Sequence, residues 1–200
     1  MLKLKTWLLT TVLVSLSMGA QALPKIGEAV PGFSLPDAQG KTHQLADYKD
    51  KVVVLEWTNH DCPFVRKHYD SNNMQQLQKT YTEKGVVWLS IVSSALGKQG
   101  HVSPEQAQEL TLSRDASPSA VLLDPDGAVG RAYGAKTTPH MYVIDKGTLR
   151  YMDGIDSIPS SDSADIPNAE PYLQTALDAV LAGEEVAKPM TRPYGCSVKY

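Results

Sequence analysis

An apolar run that leads directly to a helix start most constrains how this chain can fold. Val52-Val-Val-Leu55 is followed, after a short polar stretch, by Pro63. Proline is favoured at the first position of a helix, where its missing N–H is not needed. These residues therefore predict a buried strand that leads into a helix. A strand–turn–helix unit of this kind is typical of α/β folds, in which helices cover a largely parallel sheet.

The same alternation continues along the chain. Apolar runs predict further buried strands at residues 86–92 and 120–124, and Ser103-Pro-Glu-Gln106 carries the capping-box pattern of a helix start between them. Residues 138–145 and 148–152 flank the turn Lys146-Gly147 and predict an antiparallel hairpin. We therefore expect a central mixed β-sheet flanked by helices. Two short strands around Gln39-Gly40 predict an N-terminal β-hairpin extension.

The N-terminus carries the pattern of a secretory signal peptide. Two lysines in Met1-Leu-Lys-Leu-Lys5 precede an apolar stretch over residues 7–18, and Ala20-Gln-Ala22 supplies the small-x-small cleavage pattern. We expect cleavage after Ala22 and a periplasmic or secreted mature protein. An uncleaved membrane anchor is the alternative. The mature chain then comprises one domain over residues 23–183 and an irregular tail over residues 184–200.

Composition excludes several classes of partner. The net charge is −3 and no basic block is present, so a nucleic-acid partner is not expected. After signal cleavage no second apolar stretch is long enough to span a membrane. The chain has only two cysteines, Cys62 and Cys196, which is too few for a disulfide scaffold. The core must therefore come from apolar burial.

Cys62 is the strongest candidate for chemistry. It directly precedes Pro63 and so stands at the predicted N-cap, where backbone N–H groups and the helix dipole favour a thiolate over a thiol. Arg66 and Lys67, one turn further, are expected to add positive potential. We interpret Cys62 as a nucleophile. The alternative is an inert, buried cysteine that caps the helix.

Cys196 lies on the C-terminal tail, which can deliver a second thiol to an oxidised Cys62. A sulfenic acid or a mixed disulfide is removed by attack of another thiol. Cys196 is therefore a candidate resolving cysteine. Two alternatives stay open: a static Cys62–Cys196 disulfide that fixes the tail, and a thiol that pairs with another chain.

Two further residues stand out near these elements. Glu56 interrupts an apolar strand, and a buried carboxylate there is a candidate proton acceptor. The alternative places it on a solvated edge or in an ion pair with a lysine. Pro139 opens a strand in Thr137-Thr-Pro-His140, which fits a cis bond beside the Cys62 helix. A trans proline at a strand start is the alternative.

Histidines permit a different hypothesis. His60, His68 and His140 could join Cys62 in a soft-metal site, because thiolate and imidazole suit copper or zinc. No pair of them shows a recognised metal spacing, so surface or supporting roles are favoured. Our leading interpretation includes no metal and no cofactor.

Together these motifs resemble the thioredoxin superfamily, and more closely its redoxin or AhpC/TSA-type, peroxiredoxin-like branch. The resemblance covers about residues 26–181 and is carried by Cys62-Pro-Phe-Val-Arg-Lys-His-Tyr69, Thr138-Pro-His-Met-Tyr-Val-Ile-Asp145 and the tail Tyr194-Gly-Cys-Ser-Val-Lys-Tyr200. It implies a thioredoxin-like fold, a cis Pro139, and Glu56 at the position of a buried carboxylate.

The sequence departs from both branches of that superfamily. Val65 occupies the position of the second cysteine in a CxxC motif, which excludes rapid dithiol exchange at this site. Peroxiredoxins carry the motif Pro-x-x-x-Thr-x-x-Cys at this point. In this sequence Leu55 and Asn59 occupy the positions of that proline and threonine. Asn59 would have to substitute for that threonine.

The leading hypothesis is therefore an exported thiol oxidoreductase. Cys62 attacks a peroxide or a disulfide, Cys196 resolves the product, Pro139 shapes the substrate groove, and Glu56 with Asn59 tunes the thiol. An unidentified thiol would supply the electrons. The alternatives are a copper-handling module and a non-catalytic domain with a permanent Cys62–Cys196 disulfide.

Overall fold

A computed structural model describes residues 23–200. The predicted signal peptide, residues 1–22, lies outside the described residues. Within residues 23–200 no helix is long and apolar enough to cross a membrane.

The core of the fold is a five-stranded mixed sheet. Its strands are β3 (Val52–Trp57), β4 (Val87–Val92), β5 (Ala120–Leu123), β7 (His140–Asp145) and β8 (Thr148–Asp153), in the spatial order β5-β4-β3-β7-β8. The three strands β3, β4 and β5 are parallel, and β7 is antiparallel to both β3 and β8. This arrangement confirms the predicted α/β class and its mixed sheet.

Within residues 23–200, five α-helices accompany the sheet: α1 (Pro63–Asp70), α2 (Asn73–Glu83), α3 (Pro104–Ser113), α4 (Ala128–Tyr133) and α5 (Tyr172–Ala182). Alternate residues of each strand face opposite sides. Val54 packs in the core beneath α1, α2 and α5, whereas Leu55 belongs to the core on the α4 side. Burial on both faces explains why β3 reads as a nearly continuous apolar run.

Local signals place the helix boundaries correctly. Asn72, with φ +63°, separates α1 from α2 within the polar run Asp70-Ser-Asn-Asn73. At the start of α3 the Ser103 hydroxyl accepts from the Gln106 amide at 3.2 Å, and the Gln106 side chain accepts from the Ser103 amide at 2.8 Å. These capping bonds satisfy amides that have no partner within the helix.

The N-terminal hairpin is also confirmed, with β1 (Ser34–Pro36) antiparallel to β2 (Thr42–Gln44). A buried hydrogen bond supports it, because Asp37 Oδ2 accepts from His43 Nε2 at 2.7 Å. Burial disfavours the Asp37 carboxylate. The His43 hydrogen bond and the amides of Lys41 and Gln39 outweigh that cost and lower the pKa of Asp37.

The tail differs from the prediction. The sequence predicts an irregular segment over residues 184–200, yet the structure contains a short strand β9 (Cys196–Ser197) antiparallel to β6 (Thr137–Thr138). A two-residue strand carries no alternating pattern, and its pairing depends on contacts far along the chain. The Ser/Asp/Pro-rich loop before α5 likewise contains a 3₁₀ helix, Ser163–Asn168.

Candidate active site

Cys62 occupies the N-cap of α1. Its backbone is extended, with φ −76° and ψ 123°, and Pro63 begins the helix as predicted. A turn precedes it, in which the Cys62 amide donates to the Asn59 carbonyl at 3.0 Å. The side chain is completely buried, at 0% exposure. The sulfur therefore lies inside the protein and not on an open surface.

The strand β7 brings the Thr138–Pro139 segment to the sulfur. β3 and β7 are neighbours, with Trp57 opposite His140, so the residues beyond their ends meet at one edge of the sheet. The Thr138–Pro139 peptide bond is cis, as predicted. The Cys62 thiol donates to the Thr138 carbonyl at 3.1 Å.

Cys196 completes this cluster. It lies directly opposite Thr138 in the β6–β9 pair, and its side chain packs against the core cluster that contains Cys62. Both cysteines are free thiols. Cys62 is buried and Cys196 is only partly so, hence Cys196 is the one that solvent reaches.

The two thiols are not equivalent. Burial opposes ionisation of Cys62, but hydrogen bonds from the Cys196 side chain and amide, with help from Thr138 and the Val65 amide, lower its pKa. Burial, followed by the hydrogen bond to Cys62 and its charge, raises the pKa of Cys196 to about 11. Cys62 therefore ionises first. Cys196 keeps its proton and donates a hydrogen bond to the Cys62 sulfur.

Removal of the second thiol tests this asymmetry. We expect Cys196→Ala to raise the pKa of Cys62, because the thiolate loses a hydrogen-bond donor and stays buried. The pH profile of alkylation by iodoacetamide measures the pKa. Ser197→Ala is the matched control on the exposed neighbour in β9. An unchanged profile in Cys196→Ala would show that the two thiols do not interact.

Thr138 contributes a hydroxyl that its sequence context does not single out. Its side chain is only 2% exposed, and within residues 23–200 its Oγ1 has no hydrogen-bond partner of ordinary geometry. It nevertheless lies close enough to the Cys62 sulfur to lower the pKa of that thiol. A molecule bound at the Cys62 sulfur would therefore come within reach of this hydroxyl.

Glu56 is buried, as one of the two interpretations required, but it does not contact the thiol. Its carboxylate accepts from Trp88 Nε1 at 2.8 Å, Tyr69 Oη at 2.8 Å, Ser90 Oγ at 2.9 Å and Gln78 Nε2 at 3.2 Å. Burial raises the pKa of Glu56, and these four donors counteract that rise. The carboxylate is a hydrogen-bonded centre of the core behind the site.

Asn59 supports the loop before Cys62. Its Oδ1 accepts from the Asp61 amide at 2.9 Å, and its Nδ2 donates to the Gln99 carbonyl at 3.3 Å. Gly100 packs so closely that a Cβ there would lie 2.2 Å from the Asn59 side chain. These contacts tie the amide to the backbone and direct it away from the role of a threonine substitute.

The histidines named in the metal hypothesis are engaged elsewhere. His140 Nε2 bonds Asp153 Oδ1 at 2.8 Å, His68 Nδ1 bonds Asn73 Nδ2 at 2.9 Å, and His60 Nε2 lies 3.5 Å from Asp61 Oδ1. Throughout the described part of the chain, no group of three or more His, Cys, Asp or Glu side chains is arranged to hold a metal ion.

A buried ionic cluster on α1 is not evident from the sequence. Lys67, expected to add positive potential at Cys62, instead donates to Asp156 Oδ2 at 3.1 Å and is only 2% exposed. Lys67 follows Phe64 by three positions on α1, and this helical spacing is the one sequence signal that could have placed it on a partly apolar face. The partner Asp156 lies in an irregular loop, where no periodicity identifies it.

Comparison with known proteins places this geometry in a family. The AhpC/TSA family matches residues 26–152. The chain belongs to the AhpC/TSA family. The matched region includes Cys62 and Pro139, but it ends before the tail that carries Cys196.

Relatives of this AhpC/TSA protein have two kinds of name. A thiol-disulfide oxidoreductase ResA of Geobacillus thermodenitrificans is 27% identical over 121 residues, which are 60% of this chain and 64% of the relative. The chain thus spans less than two thirds of that relative's length. A Mycobacterium tuberculosis protein provisionally named a peroxiredoxin is 30% identical over 119 residues, 58% of this chain and 68% of the relative.

A solved structure matches nearly the whole chain. The crystal structure of a hypothetical protein from Sinorhizobium meliloti 1021 superimposes with a TM-score of 0.74 at 25% identity and covers 88% of this chain and 94% of its own. An exposed lipoprotein thioredoxin, Etrx1 of Streptococcus pneumoniae strain TIGR4, superimposes with a TM-score of 0.52 at 26% identity and covers 74% of this chain and 99% of its own. Together with the mixed five-stranded sheet, these matches show the thioredoxin-like fold.

Proposed function

We propose that this AhpC/TSA protein is a thiol oxidoreductase that reduces a small hydroperoxide with Cys62 as nucleophile and Cys196 as resolving thiol. The observation that carries the proposal is the pair of free thiols, in which the Cys62 pKa is lowered and the Cys196 pKa is raised. Such an asymmetry assigns the attack to one sulfur and the proton to the other. The predicted signal peptide supports action outside the cytoplasm.

The first step is attack by the Cys62 thiolate on one peroxide oxygen. A sulfur–oxygen bond forms and the oxygen–oxygen bond breaks, which yields a sulfenic acid and an alcohol or water. The leaving oxygen takes a proton, and the Cys196 thiol, hydrogen-bonded to Cys62 in the reduced state, is placed to supply it. The Thr138 hydroxyl, which lies close enough to the Cys62 sulfur to lower the pKa of that thiol, can donate to a peroxide oxygen there.

The second step forms the disulfide. The Cys196 thiolate attacks the Cys62 sulfur and expels hydroxide, which is released as water after protonation. An external thiol then reduces the Cys62–Cys196 disulfide through a mixed disulfide. Cys196 is the more accessible of the two, so we expect that thiol to attack Cys196.

Burial of Cys62 favours a small substrate. The sulfur is 0% exposed beneath the chain's own tail, so a peroxide reaches it with little movement whereas a protein disulfide requires release of β9. Disulfide exchange is the second candidate. Its specific support is that β6 pairs with an extended, cysteine-bearing segment, which shows that this edge can accept a strand.

Replacing Thr138 by valine distinguishes the two functions. We expect Thr138→Val to slow oxidation of reduced protein by one equivalent of hydrogen peroxide by roughly ten-fold, because an oxygen-stabilising donor is removed without loss of volume. The rate of oxidation by a small aromatic disulfide should change much less. Stopped-flow tryptophan fluorescence follows both reactions, and mass spectrometry identifies the product.

The control for that experiment is Thr137→Val, the neighbour in β6 that lies opposite Ser197. Wild-type protein that yields an intramolecular disulfide at a slow peroxide rate and a fast disulfide rate would support the exchange function. Equal slowing of both reactions in Thr138→Val would contradict a specific role of its hydroxyl with peroxide.

A further inference from the structure

The tail is held on α1 by a tyrosine two positions before Cys196. Tyr194 Oη donates to Asp156 Oδ1 at 2.6 Å, and Lys67 Nζ donates to the same carboxylate through Oδ2 at 3.1 Å and to Tyr194 Oη at 3.3 Å. Tyr194 is 8% exposed, Asp156 6% and Lys67 2%. The hydroxyl thus completes a desolvated ion pair.

The helix contributes further contacts to Tyr194. His68 Nε2 lies 3.2 Å from its hydroxyl, and the Phe64 ring meets its ring edge-on with centroids 5.9 Å apart. Burial and the nearby Lys67 charge lower the pKa of His68 to about 4, so this ring is neutral at neutral pH. His68, Phe64 and Lys67 all belong to α1, the helix that begins next to Cys62.

We propose that Tyr194 is a positioning residue, which docks the tail on α1 and so holds the Cys196 thiol against Cys62. This inference rests on the proposed function and extends it. The same helix, α1, then positions both thiols. Cys62 lies at its start, and Cys196 is held against it through the hydroxyl of Tyr194. A tail that leaves would remove a hydrogen bond from the buried Asp156 carboxylate, which favours the docked state.

Other contacts also fix the tail. The Val198 amide donates to the Lys136 carbonyl at 3.0 Å, the Lys199 carbonyl accepts from the Ala95 amide at 2.8 Å, and the Thr191 hydroxyl accepts from the Gly154 amide at 3.0 Å. The β6–β9 pair is two residues long, and the second tyrosine, Tyr200, donates to the Ala135 carbonyl at 2.7 Å on the α4 side. Tyr194 and Tyr200 therefore fasten the strand from opposite ends. Tyr194 is the one of the two that connects to a buried charge pair, so its hydroxyl has the larger effect.

Tyr194→Phe removes that hydroxyl and keeps the ring. We expect the equilibrium constant for formation of the Cys62–Cys196 disulfide in glutathione buffers to fall about ten-fold, because the docked tail loses a buried hydrogen bond to a charged group. Alkylation and mass spectrometry measure the oxidised fraction. Tyr81→Phe is the matched control, since Tyr81 Oη donates to Asp178 Oδ1 at 2.9 Å away from the site.

A second readout separates positioning from general stability. Tyr194→Phe should raise the pKa of Cys62 in the wild-type background and leave it unchanged in Cys196→Ala, where no thiol remains to be positioned. Asp156→Asn, which neutralises the carboxylate at constant shape, should act in the same direction. A pKa shift that persists in Cys196→Ala, or a disulfide equilibrium equal to that of Tyr81→Phe, would overturn the inference.

Failure of the proposed function gives a different result. Wild-type protein that forms no Cys62–Cys196 disulfide with either oxidant would contradict the resolving step, whereas the pKa comparison would still decide whether Tyr194 positions Cys196. Circular dichroism of each variant verifies that the fold is retained.

Discussion

Cys62→Ser is expected to abolish thiol-dependent reduction of hydrogen peroxide, with a loss of roughly 10³-fold or more. Cys62 is the thiol whose pKa is lowered, and a serine hydroxyl in the same buried position does not ionise at neutral pH. Cys196 would then have no thiolate to stabilise with its hydrogen bond. Consumption of peroxide in the presence of dithiothreitol measures the effect.

Cys196→Ser is the matched control for the loss of a thiol. Without an external thiol it should complete the first oxidation and then stop, because no resolving thiol is present within the chain. Labelling by dimedone should detect the sulfenic acid on Cys62 in that variant and not in wild-type protein. Undiminished turnover in Cys62→Ser would contradict the proposed function outright.

The residues that local rules govern could be predicted from the sequence. A proline at the first helical position identified Cys62 as the N-cap, and Ser103 with Gln106 identified the start of α3. Strands buried on both faces, such as β3, are recognisable by their continuous apolar runs. These features depend on neighbours within a turn of helix or a few residues of strand.

The residues that surround the sulfur depend on contacts far along the chain. The Cys62 thiol meets the Thr138 carbonyl across 76 positions, and Lys67 meets Asp156 across 89. Neither pair has a periodic pattern. Asn59 is a case in which the family resemblance favours a role at the thiol. In the structure its side chain contacts Asp61 and Gln99 and supports the loop.

Burial and reactivity are coupled at this site. Enclosing Cys62 completely disfavours its thiolate, so the donors that lower its pKa must come from neighbouring protein groups and not from water. Cys196 is the first of these donors, and it is carried by the tail. In the proposed mechanism the tail activates the nucleophile before oxidation and resolves it afterwards, so both steps depend on its docking.

Gly195 is the position at which that docking is most easily broken. Its φ is +132°, which L side chains rarely adopt, and a Cβ there would lie 2.1 Å from the Thr138 carbonyl oxygen. That oxygen is backbone next to Pro139 and is also the acceptor of the Cys62 thiol. We expect Gly195→Ala to displace β9. The docked state of the tail should lose about 3 kcal/mol, which lowers the equilibrium constant for docking roughly a hundred-fold.

A displaced tail should affect formation of the disulfide more than the attack of Cys62 on peroxide. In Gly195→Ala the equilibrium constant for the Cys62–Cys196 disulfide in glutathione buffers should be roughly a hundred-fold lower. After treatment with peroxide, dimedone should trap the sulfenic acid on Cys62. Gly183→Ala is the matched control, because Gly183 has φ +74° but a Cβ added there would meet no atom within 4 Å. Gly183 also has a positive φ, but in the milder left-handed region, and it lacks the collision. Equal disulfide yields in the two variants would show that close approach of Gly195 to Thr138 is not what holds Cys196 at the nucleophile.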